Sequence, residues 1–359
     1  VLNPAGSLIG EIRDLLQDGS EALDFGWIFD CAVKNEVAPF LYYNLKAMDN
    51  IPAAVLERFR NSYLYAVRKN VINAEEMLRV LRSLEKGGVE AIPLKGSLAS
   101  EIIFGNPGLY PATDIDILVR RDDLEGAGKI ITEAGYSKND MIAGDLLSSH
   151  YHLLYRKDDH YLELHWNLAK RYFETDPEFW WEESRDMEYA GAAVKTLSPE
   201  RYIMYAIFRL FDHGFRPLKF SVFVYGLASK YSASIDWGKL VHLARTYKME
   251  RVVGFTLKLI GELFGTPCSY DIQSAKVLGY DFFKKKVIAG IFAEAERPHL
   301  DMLIYTFLLD SPAEFAKVIS DRFFPRMSEI RLRYGLPAGS KKAYAYYLAN
   351  PVLMIIKRR

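Results

Sequence analysis

Residues 91–119, AIPLKGSLASEIIFGNPGLYPATDIDILV, restrict what this chain can become more than any other stretch. They read as a buried strand, a tight Lys95-Gly96-Ser97 turn, a short helix, a Gly/Pro loop and a second strand carrying Asp114 and Asp116. Strand side chains alternate faces, so the two aspartates share one face while Ile115, Ile117 and Val119 take the other. Two carboxylates side by side repel each other. They become useful when a divalent cation compensates them, as Mg²⁺ does through oxygen ligands. The small Gly96-Ser97 turn lets backbone N–H groups approach an anion, and the helix behind it aims its positive N-terminus the same way. A phosphate cradle beside a metal-binding strand predicts nucleotide chemistry.

The second legible unit is a hairpin over residues 150–166, HYHLLYRKDDHYLELHW. With Asp158-Asp159 as a two-residue turn, Leu154 pairs with Glu163, His152 with His165 and Arg156 with Tyr161. One face then carries His152, Arg156, Tyr161, Glu163 and His165. The other carries Tyr151, Leu153, Tyr155, Leu162, Leu164 and Trp166, an apolar face. A slip of Glu163 by one residue would bury it, which the alternation opposes.

Elsewhere the pattern is helical. Leu8, Ile9, Ile12, Leu15 and Leu16 follow a helical period that Gly19 stops. Helices are expected over 25–34 and 40–45, then a long one from Pro52 to Lys86 that Gly87-Gly88 ends. Its core candidates are Leu56, Phe59, Tyr63, Ala66, Val71, Met77, Val80, Leu81 and Leu84. Asp122-Asp123 can cap a helix running to Ala134. Ser198-Pro199-Glu200 opens a helix over 201–211, and others follow over 220–230, 237–247 and 251–264. The terminal Tyr344 to Arg359 stretch reads either as an interfacial amphipathic helix or as an ordinary packing helix.

Lys+Arg and Asp+Glu balance at 46 each, so net charge gives no global pull toward DNA, RNA or anionic membrane. The 23 Tyr and 21 Phe suit aromatic helix packing better than base stacking. Only Cys31 and Cys268 are present, which argues against a disulfide framework, and no Cys/His spacing suggests zinc. No apolar run is long enough to span a bilayer and no signal segment is visible, so the expectation is a soluble, cytoplasmic protein.

Gly96-Ser97, then Asp114-Ile115-Asp116-Ile117, then Glu163 within Leu162-Glu163-Leu164-His165-Trp166 resemble the signature of the nucleotidyltransferase superfamily typified by DNA polymerase β. More narrowly, the chain is similar to a bacterial family of uncharacterised nucleotidyltransferases with Leu-Lys-Gly, Asp-Ile-Asp and Glu-Leu-His-Trp blocks. The Val37-Ala38-Pro39-Phe40-Leu41-Tyr42 block and the blocks from Phe323 to Pro325 and Arg331 to Pro337 are similar as well. Two departures stand out. The interval from Ser97 to Asp114 is longer than the superfamily usually shows, adding Gly105-Asn106-Pro107-Gly108. Val222 to Gly226 stands where family members often carry an Asp.

The resemblance implies an α+β fold: a small mixed β-sheet nucleotidyltransferase core over 87–190, flanked by a helical N-terminal lobe, 1–86, and a helical C-terminal lobe, 191–359. It implies a nucleoside monophosphate moved from an NTP to an acceptor hydroxyl, with release of pyrophosphate. Asp114, Asp116 and Glu163 are then the catalytic residues and the ligands of two Mg²⁺ ions, with Mn²⁺ as an alternative. Gly96 and Ser97 hold the β- and γ-phosphates, and Lys95 and His165 complete the nucleotide-binding set. Two of these have a second reading: Lys95 can point to solvent, and His165 can support the carboxylates. Arg209, His213, Arg216 and Lys219 are candidates to line the cleft or to stay solvated. The acceptor expected beside the NTP is a small molecule or a protein rather than long nucleic acid. Two rivals remain: a non-catalytic nucleotide-binding or protein-interaction relative, and a metal-dependent phosphohydrolase. The first has no need of all three acids, and the second normally needs more His and Asp ligands.

Overall fold

The computed structural model describes residues 24–48, 51–138, 152–169, 175–265, 277–293, 304–337 and 339–356. The helix expected over 7–19 and the first two residues of the hairpin lie outside them. Five strands, β1 (Ala91–Pro93), β2 (Ile115–Val119), β3 (Ser137–Lys138), β4 (His152–Lys157) and β5 (His160–His165), form one mixed sheet in the order β1-β2-β5-β4-β3. The α+β reading holds. After β2 the chain passes through α5 (Leu124–Glu133), β3 and β4 before β5 returns beside β2, so these two central strands run parallel. The other pairings are antiparallel. A separate hairpin, β6 (Arg185–Tyr189) and β7 (Ala192–Thr196), packs beside β1.

The hairpin register is the expected one, with Leu154 opposite Glu163, His152 opposite His165 and Arg156 opposite Tyr161. Asp158 takes the left-handed conformation at φ 49°, which a short polar side chain tolerates in a turn. Alternation then separates two cores. Ile115, Ile117, Val119, Leu153, Tyr155, Leu162 and Leu164 pack with α5 and with Met77, Val80 and Leu84 of α3 (Ala53–Lys86).

The opposite face of the sheet is also covered. Ile92, Leu94 and Leu118 join a larger core with α6 (Pro199–Asp212) and α7 (Lys219–Lys230), through Tyr202, Tyr205 and Phe223. That core also takes in α1 (Phe25–Lys34), α2 (Ala38–Leu45), α8 (Trp237–Thr246), α9 (Glu250–Phe264) and α10 (Tyr280–Phe292). The face of β2 that carries Asp116 is therefore an interior face, and all five β2 residues are buried.

Helix α3 has 34 residues, about 51 Å at ~1.5 Å per residue, long enough to serve both cores. Its inward stripe runs Ala66, Asn70, Asn73, Met77, Val80, Leu84, spaced by three and four residues. Val71 falls off that stripe and is exposed, contrary to expectation, because two asparagines hold the inward positions of that turn. At the C-terminal end, α13 (Lys342–Ile356) docks through buried Asn350, which accepts from Arg333 of α12 (Met327–Arg333) and donates to the Phe323 carbonyl of α11 (Pro312–Phe323). Its Tyr344, Leu348 and Val352 face outward. Among the described residues no helix is long and apolar enough to cross a membrane.

Candidate active site

The parallel register of β2 and β5 places Asp116 beside Glu163. Neighbouring strands are ~4.8 Å apart, so two residues paired on one face bring their carboxylates together. Asp114, in the bend just before β2, adds a third, and ligand oxygens of all three lie within 4.8 Å of one another. The Asp116 side chain is fully enclosed, while Glu163 and Asp114 are 21% and 25% exposed. The cluster is thus reached from the Asp114–Glu163 side.

The glycine turn lies against this cluster for a steric reason. Gly96 sits at φ 75°, and a Cβ there would stand 3.2 Å from Ala112 Cβ and 3.3 Å from the Asp114 carbonyl oxygen. Only glycine combines that conformation with that approach. Leu94 N–H donates to the Asp116 carbonyl at 3.1 Å, tying the turn to β2. Ser97 begins α4 (Ser97–Phe104) and is buried.

The longer interval between turn and aspartates is anchored on α3. Buried Asn70 donates to the Tyr110 carbonyl at 2.8 Å and accepts from Ala112 N–H at 3.0 Å. Asn73 donates to the Ala112 carbonyl at 3.3 Å, and Tyr63 Oη donates to Asn106 Oδ1 at 3.0 Å. Helix side chains thereby satisfy the buried backbone groups of a loop that makes no ladder bonds.

Two basic side chains meet the three carboxylates. Lys95 Nζ lies 2.9 Å from Asp116 Oδ2 and 3.2 Å from Asp114 Oδ2, on a side chain only 9% exposed. Burial by itself would depress this amine; Asp116 and then Asp114 outweigh it and raise its pKa well above the ordinary lysine value. His165 Nε2 lies 3.1 Å from Asp116 Oδ1 and 3.2 Å from Glu163 Oε2. Burial disfavours its charge too, yet its hydrogen bonds to Asp116 and Glu163 raise its pKa above the usual imidazole value. Glu163 responds in the opposite sense. Burial opposes its ionisation, but the bond and charge of His165, with Lys95 and His152 adding, hold it far below the usual carboxylate range.

Helix α6 closes the site from above. The Tyr205 hydroxyl is buried in the field of Asp116, Arg209 and Lys95, and burial pushes its pKa well up, so it stays protonated. Tyr202 Oη donates to the Leu94 carbonyl one residue before Lys95. Sequence reasoning missed both tyrosines. Their one visible signal was that Tyr202, Tyr205 and Arg209 fall at helical spacing on one side of α6. Of the other basic candidates, His213 and Arg216 line a cavity of about 280 Å³ with Lys34, Asn35 and Glu36, whose lining includes none of the three carboxylates. Lys219 pairs with Glu36 and lies 5.5 Å over the Tyr110 ring.

A metal fits the donor set. Carboxylate oxygens suit a hard divalent cation, and Asp116 Oδ2, though enclosed, receives no aligned hydrogen bond among the described residues. A second trio, His152, Glu163 and His165, also brings ligand atoms within 4.8 Å of one another and shares Glu163 with the first. The fold and this cluster define an α+β protein built round a three-carboxylate centre beside a glycine turn. Residues 21–265 match a family model described as an uncharacterised nucleotidyltransferase, and the chain belongs to that family. The match covers the turn and all three acids, whereas the similar blocks at 323–337 lie beyond it. Comparison with curated proteins and with solved structures gave no match.

Proposed function

We propose that this chain is a metal-dependent nucleotidyltransferase of the DNA polymerase β-like superfamily, transferring a nucleoside monophosphate from an NTP to an acceptor hydroxyl with loss of pyrophosphate. The observation that carries this reading is the parallel pairing of β2 with β5, which sets Asp116 beside Glu163 with Asp114 at the open edge. Asp114, Asp116 and Glu163 would hold Mg²⁺ or Mn²⁺, which supplies charge neutralisation at the phosphates and at the attacking and leaving oxygens.

The chain's own residues do the rest. The Gly96 turn and the first turn of α4 present N–H groups to the β- and γ-phosphates. His165, held between Asp116 and Glu163, fixes the orientation of both carboxylates. The low pKa of Glu163 favours a ligand role over that of proton acceptor. Helix α6 excludes water from the enclosed side of Asp116. The balanced charge supports a small-molecule or protein acceptor.

The test is incubation with each labelled nucleoside triphosphate and Mg²⁺ or Mn²⁺, following pyrophosphate and labelled product over a panel of small-molecule and protein acceptors. Metal-dependent release that Asp116→Asn abolishes is the expected result. Nucleotide and metal binding without pyrophosphate release from any triphosphate would overturn the reading and leave the non-catalytic relative in its place.

A further inference from the structure

The Lys95 ammonium stands where the proposed chemistry calls for a metal ion. Its ammonium is within ion-pair distance of both aspartates whose oxygens a divalent cation would take, 2.9 Å from Asp116 and 3.2 Å from Asp114. The contact to Asp114 is a directed hydrogen bond, but that to Asp116 Oδ2 is not, so electrostatics rather than bond geometry holds the amine there. The backbone around it is pinned. Leu94 N–H is tied to Asp116, the Leu94 carbonyl accepts from Tyr202, and Gly96 is locked against Asp114. What can move is the side chain, four methylenes ending in a point charge. It lies one residue before the turn that faces an incoming phosphate.

We propose that Lys95 is the resident counter-ion of the Asp114/Asp116 pair, yielding that position to a divalent cation as its ammonium passes to the phosphates of an arriving nucleotide. Until then it neutralises two adjacent carboxylates, one of them enclosed, that would otherwise repel each other. The arrangement makes metal and nucleotide binding mutually dependent, since each removes an obstacle to the other. This inference rests on the proposed metal site and names the residue that controls its loading.

The experiment measures Mn²⁺ affinity by the paramagnetic resonance signal of free Mn²⁺, with and without α,β-methylene-ATP, on wild type and Lys95→Met. Wild type is expected to bind Mn²⁺ weakly alone and at least tenfold more tightly with the nucleotide analogue. Lys95→Met, which keeps the volume and removes the charge, is expected to bind Mn²⁺ alone at least tenfold more tightly than wild type. Its dependence on the analogue should shrink, and adding Asp116→Asn should abolish the gain. If Lys95→Met is unstable without metal, Mn²⁺ should raise its melting temperature far more than that of wild type; failure of Mn²⁺ to do so counts against the proposal. Wild-type binding with an equal or weaker Lys95→Met overturns the counter-ion role and leaves the metal site standing. Absence of Mn²⁺ binding in both proteins, analogue present, overturns the metal site itself.

Discussion

Asp116 on β2 and Glu163 on β5 occupy paired positions on adjacent parallel strands, and the His165 ring lies within hydrogen-bond distance of both carboxylates. Almost everything testable about the site follows from this pairing and from the enclosure of Asp116.

The two aspartates should differ in what they do for the fold. Asp116→Asn leaves buried Lys95 and His165 each short of a carboxylate, an imbalance that costs about 3–5 kcal/mol when a buried pair is broken. Asp114 is partly exposed, so Asp114→Asn should cost about 1 kcal/mol or less. Urea unfolding of the metal-free proteins measures both. Equal losses would show that Asp116 is not the enclosed member of the pair.

Glu163 and Leu164 give a crossed test of the strand's two faces. Glu163→Gln removes one of the two carboxylates beside buried His165, so it should cost some stability, and it should lower transfer by about 10²-fold or more, as expected when a group that positions the reacting atoms is lost. Leu164 is fully buried in the core below the sheet, so Leu164→Ala should cost about 2–5 kcal/mol. The folded fraction of that variant should keep its chemistry. Thermal melts and single-turnover rates on the same two variants decide the matter.

The histidine between the carboxylates predicts a pH dependence of stability in chelator. His165 has a raised pKa in the fold, so its contribution is full below its unfolded value of ~6.5 and fades as pH rises through the folded value. Glu163 is depressed, so its contribution is present above its unfolded value of ~4.3 and is lost as pH falls through the folded one. The pair is strongest between these two unfolded values. Denaturant midpoints should therefore fall from about pH 6.5 upward, and His165→Gln should flatten that slope.

Asn70 carries the loop that delivers Asp114. Asn70→Leu leaves the Tyr110 carbonyl and Ala112 N–H without partners, at about 1–3 kcal/mol for each unsatisfied buried group. Because the loop runs straight into the bend at Asp114, Mn²⁺ affinity should fall along with stability. A variant that melts early yet binds Mn²⁺ as wild type does would separate the loop anchor from the site.

Local covalent geometry determined a large part of this protein in advance. Period-two alternation and a two-residue Asp158-Asp159 turn are enough to set the β4–β5 register, because a slip of one residue moves every side chain to the other face. The helical spacing expected over 25–34, 52–86 and 237–247, and the Gly87-Gly88 stop, are local in the same way, and helices stand there. Other features are non-local, and no window of sequence contains them. Asp116 and His165 lie on the polar face of their strands, yet both are buried, because α6, more than thirty residues after β5, lies over that face. Asn70 and Asn73 read as polar interruptions of a helix, but their carbonyls and amides satisfy a loop some forty residues away. Lys95 is the sharpest case. A lysine beside a strand end can reach a phosphate, solvent or a carboxylate equally well. Its direction was decided only when tertiary packing enclosed Asp116 and left that buried charge in need of a cation.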